Sequence, residues 1–201
     1  MVVAACLNGV LLSRAFSPVD LFFVLFLCVP VMLFMLWHAP NWRRAFASGW
    51  WTGFGFFLFG LMWTGYRFTQ QGPGGQVPVA LAPLAVFALA AVLAVYIGLV
   101  FALAALLRPK GAAMLGRAAQ AHKTLRPAVY IKSAVYFAAI WTLGELARGY
   151  LFTGFPWHLM SAVWAGWLAP LQASYLFGVY GLSFVTMLAA GLPAASFVSH
   201  G

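Results

Sequence analysis

From Val79 to Leu107 the chain runs 29 residues without a charge. At about 1.5 Å per residue, a helix of that length exceeds a hydrocarbon core of roughly 30 Å, so it must tilt or project. A helix that is apolar all round keeps no wet face, and its solvent is lipid. The rest of the sequence agrees: 65% of the residues are hydrophobic and 6% are charged, against about a quarter charged in a soluble domain. In lipid every backbone polar group must be bonded internally, which helices achieve by themselves. The expected fold class is all-α: one polytopic transmembrane helix bundle over residues 1–201, with about six spans and an interfacial aromatic connector.

The spans are expected near residues 2–16, 21–37, 45–66, 79–107, 128–151 and 171–197. The first is short, and Arg14 must snorkel toward the interface. Pro30 is expected to kink the second. In the third, Gly49, Gly53 and Gly60 recur at helical spacing, so this face is expected to pack inside the bundle. Gln-Gln-Gly-Pro-Gly-Gly marks a loop within 67–78. Residues 152–170 form the aromatic connector, with Trp157, Trp164 and Trp167 as interfacial anchors. No internal repeat and no low-complexity segment is evident.

The net charge is +9. Its carriers sit in short connectors rather than on one soluble face, which excludes a nucleic-acid binder and fits orientation by basic residues. Arg43, Arg44, Arg108, Lys110, Arg117, Lys123 and Arg126 fall in one set of connectors; Arg14, Arg67 and Arg148 fall in the other. The first set is expected in the cytoplasm, with both termini, and the bundle in a bacterial cytoplasmic (inner) membrane. Cys6 and Cys28 lie in apolar runs and read as small packing side chains; nothing in the sequence favours pairing them. Val3-Ala4-Ala5-Cys6 faintly resembles a lipoprotein cleavage box, but lies too close to Met1, and no basic start marks a signal peptide.

Residues 145–157 read ELARGYLFTGFPW and hold the only glutamate of the chain. Glu145 has two readings. One is an ion pair with Arg148, one helical turn away, which lowers the cost of both charges near lipid. The other is a polar point on a substrate path. Thr153-Gly154-Phe155-Pro156-Trp157 is at least a helix stop with aromatics at headgroup depth; its Gly and Pro make it a rigid apolar platform. A complete catalytic site is poorly supported. The carboxylates are Asp20 and Glu145, the histidines His38, His122, His158 and His200 are scattered, and neither cysteine has an activating neighbour in sequence. No catalytic residue, metal ligand or cofactor is assigned.

ELARG, TGFPW and Gly178-Val-Tyr-Gly-Leu-Ser-Phe184 together resemble the membrane domain of the apolipoprotein N-acyltransferase family. Ala15-Phe16-Ser17-Pro18 with Asp20, and the aromatic Gly53–Gly60 stretch ending near Trp63, resemble it in the same order. The resemblance implies a membrane bundle joined to a nitrilase-like periplasmic domain with a Glu-Lys-Cys triad. That cysteine takes an acyl chain from phospholipid and passes it to the amino group of a lipoprotein's diacylglyceryl-cysteine. No position here corresponds to the triad, so these 201 residues are expected to be a truncated or fragmentary membrane portion, inert alone. Gly154, Phe155, Pro156 and Trp157 are expected to border the acyl-transfer site, and Glu145 and Arg148 to be a structural ion pair. Implied partners are phospholipid, membrane lipid and lipoprotein substrates. A split enzyme with a separate nitrilase-like subunit, and a small transporter or lipid-binding scaffold, are the alternatives.

Overall fold

The computed structural model describes residues 1–62, 81–108, 127–151, 154 and 156–194. All regular structure among the described residues is helical. Helix α1 spans Val2–Ser13. Its chain then turns, with Ala15 N–H bonding Leu12 O and Phe16 N–H bonding Ser13 O, into a cis Ser17–Pro18 bond and a left-handed Asp20. The first span therefore ends short of residue 16. A 3-10 turn at Phe22–Val24 leads into α2, Leu25–His38, which absorbs Pro30 in its interior.

Helix α3 spans Trp42–Gly60. It starts before the expected residue 45 because the Asn41 side chain caps it, accepting from Arg44 N at 3.0 Å. Residues 63–66, the expected end of this span, lie outside the described residues, as do 79 and 80. Helix α4 spans Ala82–Leu106, with a proline in its first turn, and α5 spans Pro127–Tyr150. The expected sixth span is interrupted. Leu168–Gln172 forms a short α6 and Ser174–Gly191 forms α7; residues 195–197 are outside the described set. Within α7, Gly178 has φ 67° and ψ 173°, a conformation open to glycine that breaks the helical ladder.

Helices α4 and α7 are long and apolar enough to cross a membrane, and Val2–Ser13 and Phe22–His38 are apolar but shorter. At 25 residues α4 is about 37 Å long. Its outer face leaves Leu84, Phe87, Val92, Leu99 and Leu106 more than half exposed, an apolar surface with no counterpart on a soluble monomer.

Helix α3 lies between α1 and α4 and packs extensively on both. A Cβ on Gly49 would meet Ile97 O and the Phe101 side chain at 2.7 Å, and one on Gly53 would meet Ala94 Cα at 3.0 Å. Of the three glycines read from sequence, Gly49 and Gly53 are thus set against α4, whereas Gly60 faces the His158 ring. A second pair serves the other side: Gly9 lies against Thr52 O of α3, and Gly55 against Cys6 O of α1. Small residues let backbones approach where lipid supplies no hydrophobic drive toward association. Between α1 and α2, Asn8 Nδ2 donates to Cys28 O at 3.4 Å, and both cysteines are free thiols.

Helices α4 and α5 run antiparallel. Tyr136 Oη donates to Ala104 O at 3.1 Å, and Val100 packs directly on Gly144. One end of the bundle is tied by Trp37 Nε1, which donates to Ser133 Oγ at 2.8 Å, and by Arg108, whose guanidinium donates to Leu36 O and Trp37 O. Those are terminal carbonyls of α2, which a cation satisfies in hydrogen bonding and in charge. Of the basic residues assigned to this side, Lys110, Arg117, Lys123 and Arg126 lie outside the described residues. At the opposite end α5 meets the chain from residue 154 to 167, and the residues singled out in the sequence gather there.

Candidate functional site

Helix α5 places Trp141, Gly144, Glu145 and Arg148 on one inward stripe, at intervals of three and four. Glu145 and Arg148 are each only 4% exposed. Glu145 Oε1 accepts from Trp141 Nε1 at 3.0 Å, one turn back. It accepts again from the backbone N–H of Met160 at 2.8 Å, across 15 residues. Met160 begins a 3-10 turn, Met160–Trp164, too short to satisfy its own first N–H, and the carboxyl group serves as its cap. Ser183 of α7 stands beside the carboxyl group and accepts from Ser161 N at 3.0 Å. The connector is therefore stitched at consecutive amides to α5 and α7.

Arg148 reaches the same connector from the other side. Its guanidinium donates to His158 O at 3.4 Å and lies over the Phe57 ring at 5.0 Å from the centroid. An arginine over an aromatic face keeps part of its charge compensated in a nearly fully buried site. His158 is left-handed, φ 54°, and its ring turns inward between Phe16 at 5.2 Å and Phe56 at 5.7 Å. Burial pushes the His158 imidazole down from 6.5 to about 4; the Arg148 cation pushes the same way, and a hydrogen bond to the Gly60 backbone opposes both. The ring is neutral at pH 7.

Glu145, Arg148 and His158 line one cavity of about 20 Å³, with Phe56, Tyr96 and Trp141 among its walls. That is room for a single water molecule. Glu145 Oε2 and His158 Nδ1 are buried beside it without a hydrogen-bond partner. A carboxyl group held by two N–H donors, a guanidinium and a neutral imidazole around such a void fix a loop in position. The cavity is too small for a reacting acyl group.

Glu145 and Arg148, expected as an ion pair, line one cavity, where the described hydrogen bonds of Glu145 come from Trp141 and Met160 and that of Arg148 goes to His158 O. Gly154 follows directly: its N–H donates to Leu151 O at 3.0 Å, and at φ 72° its missing Cβ clears Gly149 O by a margin no other residue has. Pro156 and Trp157 are exposed at the surface of this end. Phe155 lies outside the described residues. Of the three tryptophans read as anchors, Trp157 and Trp167 are about half exposed, whereas Trp164 turns inward and donates from Nε1 to Thr186 Oγ1 at 2.8 Å. Sequence reasoning gave no role to Trp141, His158 or Ser183, although Trp141 stands four residues before the lone glutamate on the same face and Ser183 lies inside the Gly178–Phe184 motif.

Known proteins bear on this arrangement. A model of the apolipoprotein N-acyltransferase N-terminal domain matches residues 8–192. The apolipoprotein N-acyltransferase of Rhodopseudomonas palustris is 32% identical over 198 residues, 96% of this chain and 33% of its own length. That of Caulobacter vibrioides is 36% identical over 152 residues, 76% of this chain and 24% of its own. That of Bradyrhizobium diazoefficiens is 32% identical over 191 residues, 92% of this chain and 32% of its own. The chain spans about a third or less of the length of these relatives.

Two outcomes are expected of the site. Glu145→Leu strands two buried N–H donors, Trp141 Nε1 and Met160 N, at a cost of about 1–3 kcal/mol each, while Glu145→Gln keeps an acceptor oxygen and loses much less. Denaturant unfolding in detergent reads the difference, and equal destabilisation by both variants contradicts the cap. The second concerns pH. The docked imidazole titrates below its ordinary value of 6.5, so the undocked connector takes up the proton first as pH falls. Docking is unaffected above pH 6.5 and weakens progressively from there down to about pH 4. The protection factor of the Met160 amide, corrected for the intrinsic pH dependence of exchange, falls over that window as pH is lowered, and His158→Phe flattens the dependence.

Proposed function

This chain belongs to the apolipoprotein N-acyltransferase family through that family's N-terminal domain, and on that premise we propose that it is the membrane-embedded, lipid-presenting part of the acyl-transfer machinery. The bond-making groups belong to a part of the enzyme beyond these 201 residues. In this reading the complete enzyme moves an acyl chain from phospholipid to the amino-terminal diacylglyceryl-cysteine of an apolipoprotein. The domain holds both substrates at the outer face of a bacterial cytoplasmic membrane.

The observation that carries the reading is the stitched connector. Glu145 and Arg148 hold residues 158–160 against the bundle. We read the segment before it, of which Gly154, Pro156 and Trp157 are described, as a rim at that end of the helices. Exposed tryptophans beside it, Trp157 and Trp167, suit the depth of lipid headgroups. The buried charges then act as positioning groups beneath the rim. No step of the transfer is assigned to them.

The proposal extends to topology. The six expected spans cross the membrane together as one domain, the shorter helices α1 and α2 doing so within the bundle rather than in contact with lipid on all sides. Arg43, Arg44 and Arg108 then face the cytoplasm with both termini, and the rim faces outward.

Two measurements test this. Purified chain, incubated with phospholipid and a diacylated lipopeptide, is expected to give no N-acylated product; robust turnover by these residues alone overturns the division of labour. Single cysteines at Asn41 and Leu168, in a background lacking Cys6 and Cys28, are expected to react with an impermeant thiol reagent from opposite sides of the membrane. Reaction of both from one side overturns the topology.

A further inference from the structure

The cavity enclosed by α3, α4, α5 and the connector is faced by two polar atoms that no described group meets. Glu145 Oε2 and His158 Nδ1 are both buried without a hydrogen-bond partner, and their residues line the cavity together with Arg148. Glu145 is 4% exposed, and its other oxygen is already engaged by Trp141 and Met160. The surroundings of His158 fix its tautomer. Its Nε2 edge lies nearest Gly60, whose backbone it bonds, and that bond favours the protonated ring. Nε2 therefore donates to the Gly60 carbonyl, and in the neutral ring Nδ1 is left as an acceptor. Oε2, on a carboxyl group beside the Arg148 cation, offers lone pairs as well. Two acceptors cannot satisfy one another, and burying them without a donor is costly.

We propose that this cavity is a binding site for one structural water molecule, which donates one hydrogen to Glu145 Oε2 and the other to His158 Nδ1 and accepts from the Arg148 guanidinium. The occupant follows from volume and from the donor count. A water requires about 10–15 Å³ of such space and about two to four polar partners. The void is about 20 Å³, and Glu145, His158 and Arg148 all line it. An anion would meet two sets of lone pairs, and a metal cation would meet a guanidinium. Water is neutral, donates twice and still accepts. The described protein hydrogen bond of Arg148 is one long contact to His158 O at 3.4 Å, so the guanidinium has donors to spare. The water links Glu145 to Arg148, whose described bonds otherwise run to separate groups. It also ties the ring of His158 to α5, a third attachment of the connector besides the Met160 amide and the His158 carbonyl.

The site follows from the cavity and is independent of any part the chain plays in acyl transfer, so the experiment reads it without turnover. Uniformly isotope-labelled chain is reconstituted into phospholipid vesicles at neutral pH and studied by magic-angle-spinning NMR. The His158 ring signals are identified by their loss in His158→Phe, or through correlation with the Leu159 amide if that variant does not fold. Nδ1 is expected to be unprotonated, shifted from the free-acceptor position toward the hydrogen-bonded one, and correlated with a water signal that survives a filter removing bulk water. A free-acceptor shift with no such correlation shows a dry cavity and overturns the site. A correlation of Nδ1 with a proton on the Glu145 carboxyl group, in place of water, shows a direct bond and overturns it equally. A protonated Nδ1 removes the second acceptor and overturns it as well.

Discussion

One carboxyl oxygen organises an entire end of this molecule. Glu145 Oε1 accepts from an indole on its own helix and from a backbone amide 15 residues later. In an interior of low dielectric such bonds gain strength, and their loss leaves bare donors that nothing else can reach. The amide belongs to the first residue of a short turn, so the carboxyl group decides where the connector begins to be ordered. The adjacent amide is fixed by Ser183, Arg148 holds the carbonyl of His158, and the His158 ring fills the space between Phe16 and Phe56. Helices α3, α5 and α7 and the turn after α1 converge on the connector through these few contacts.

The opposite end is secured on the same principle by different groups. Arg108 satisfies the last carbonyls of α2, and Trp37 spans from α2 to Ser133 of α5. Between the two ends the helices are held by shape. Glycines on both sides of α3 let α1 and α4 approach to backbone contact. The large side chains Phe56, Phe57, Phe101 and Phe137 fill what remains without exposure. Dispersion and polar stitching thus divide the structure, the first along the middle and the second at the termini, as expected where solvent and core are equally apolar.

How much of this could be read in the residues varies with the range of the interaction. The helical class followed from hydropathy, because a 29-residue apolar stretch admits few alternatives. The inner position of Gly49 and Gly53 followed from spacing, whereas the bonds of Glu145 and Arg148, which run to Trp141, Met160 and His158, did not. What depended on distant partners was not legible. His158 carries no local mark of the left-handed backbone that buries its ring. Trp164 looks like Trp157 and Trp167 until Thr186, 22 residues away, supplies an acceptor. Helix ends were misplaced for a related reason. A hydropathy window averages over the last turns, whereas Asn41 and the turn after Ser13 act through single hydrogen bonds. The rim itself was legible as a motif, yet the cavity of Glu145 and His158 was not, since its walls lie in separate elements.

The break at Gly178 divides α7 into two unequal lengths of rod. Before it, Tyr175 is 92% exposed, with Leu176 and Phe177 beside it; after it, Ser183 and Thr186 are buried against the connector. A continuous helix is stiff in bending, and a sideways push on one end would reach the other. A joint at residue 178 discards that leverage. The exposed outer segment and the inner segment that holds Ser183 and Thr186 are thus two rods meeting at a single residue that has no side chain, and the docking of the connector rests on the inner one alone.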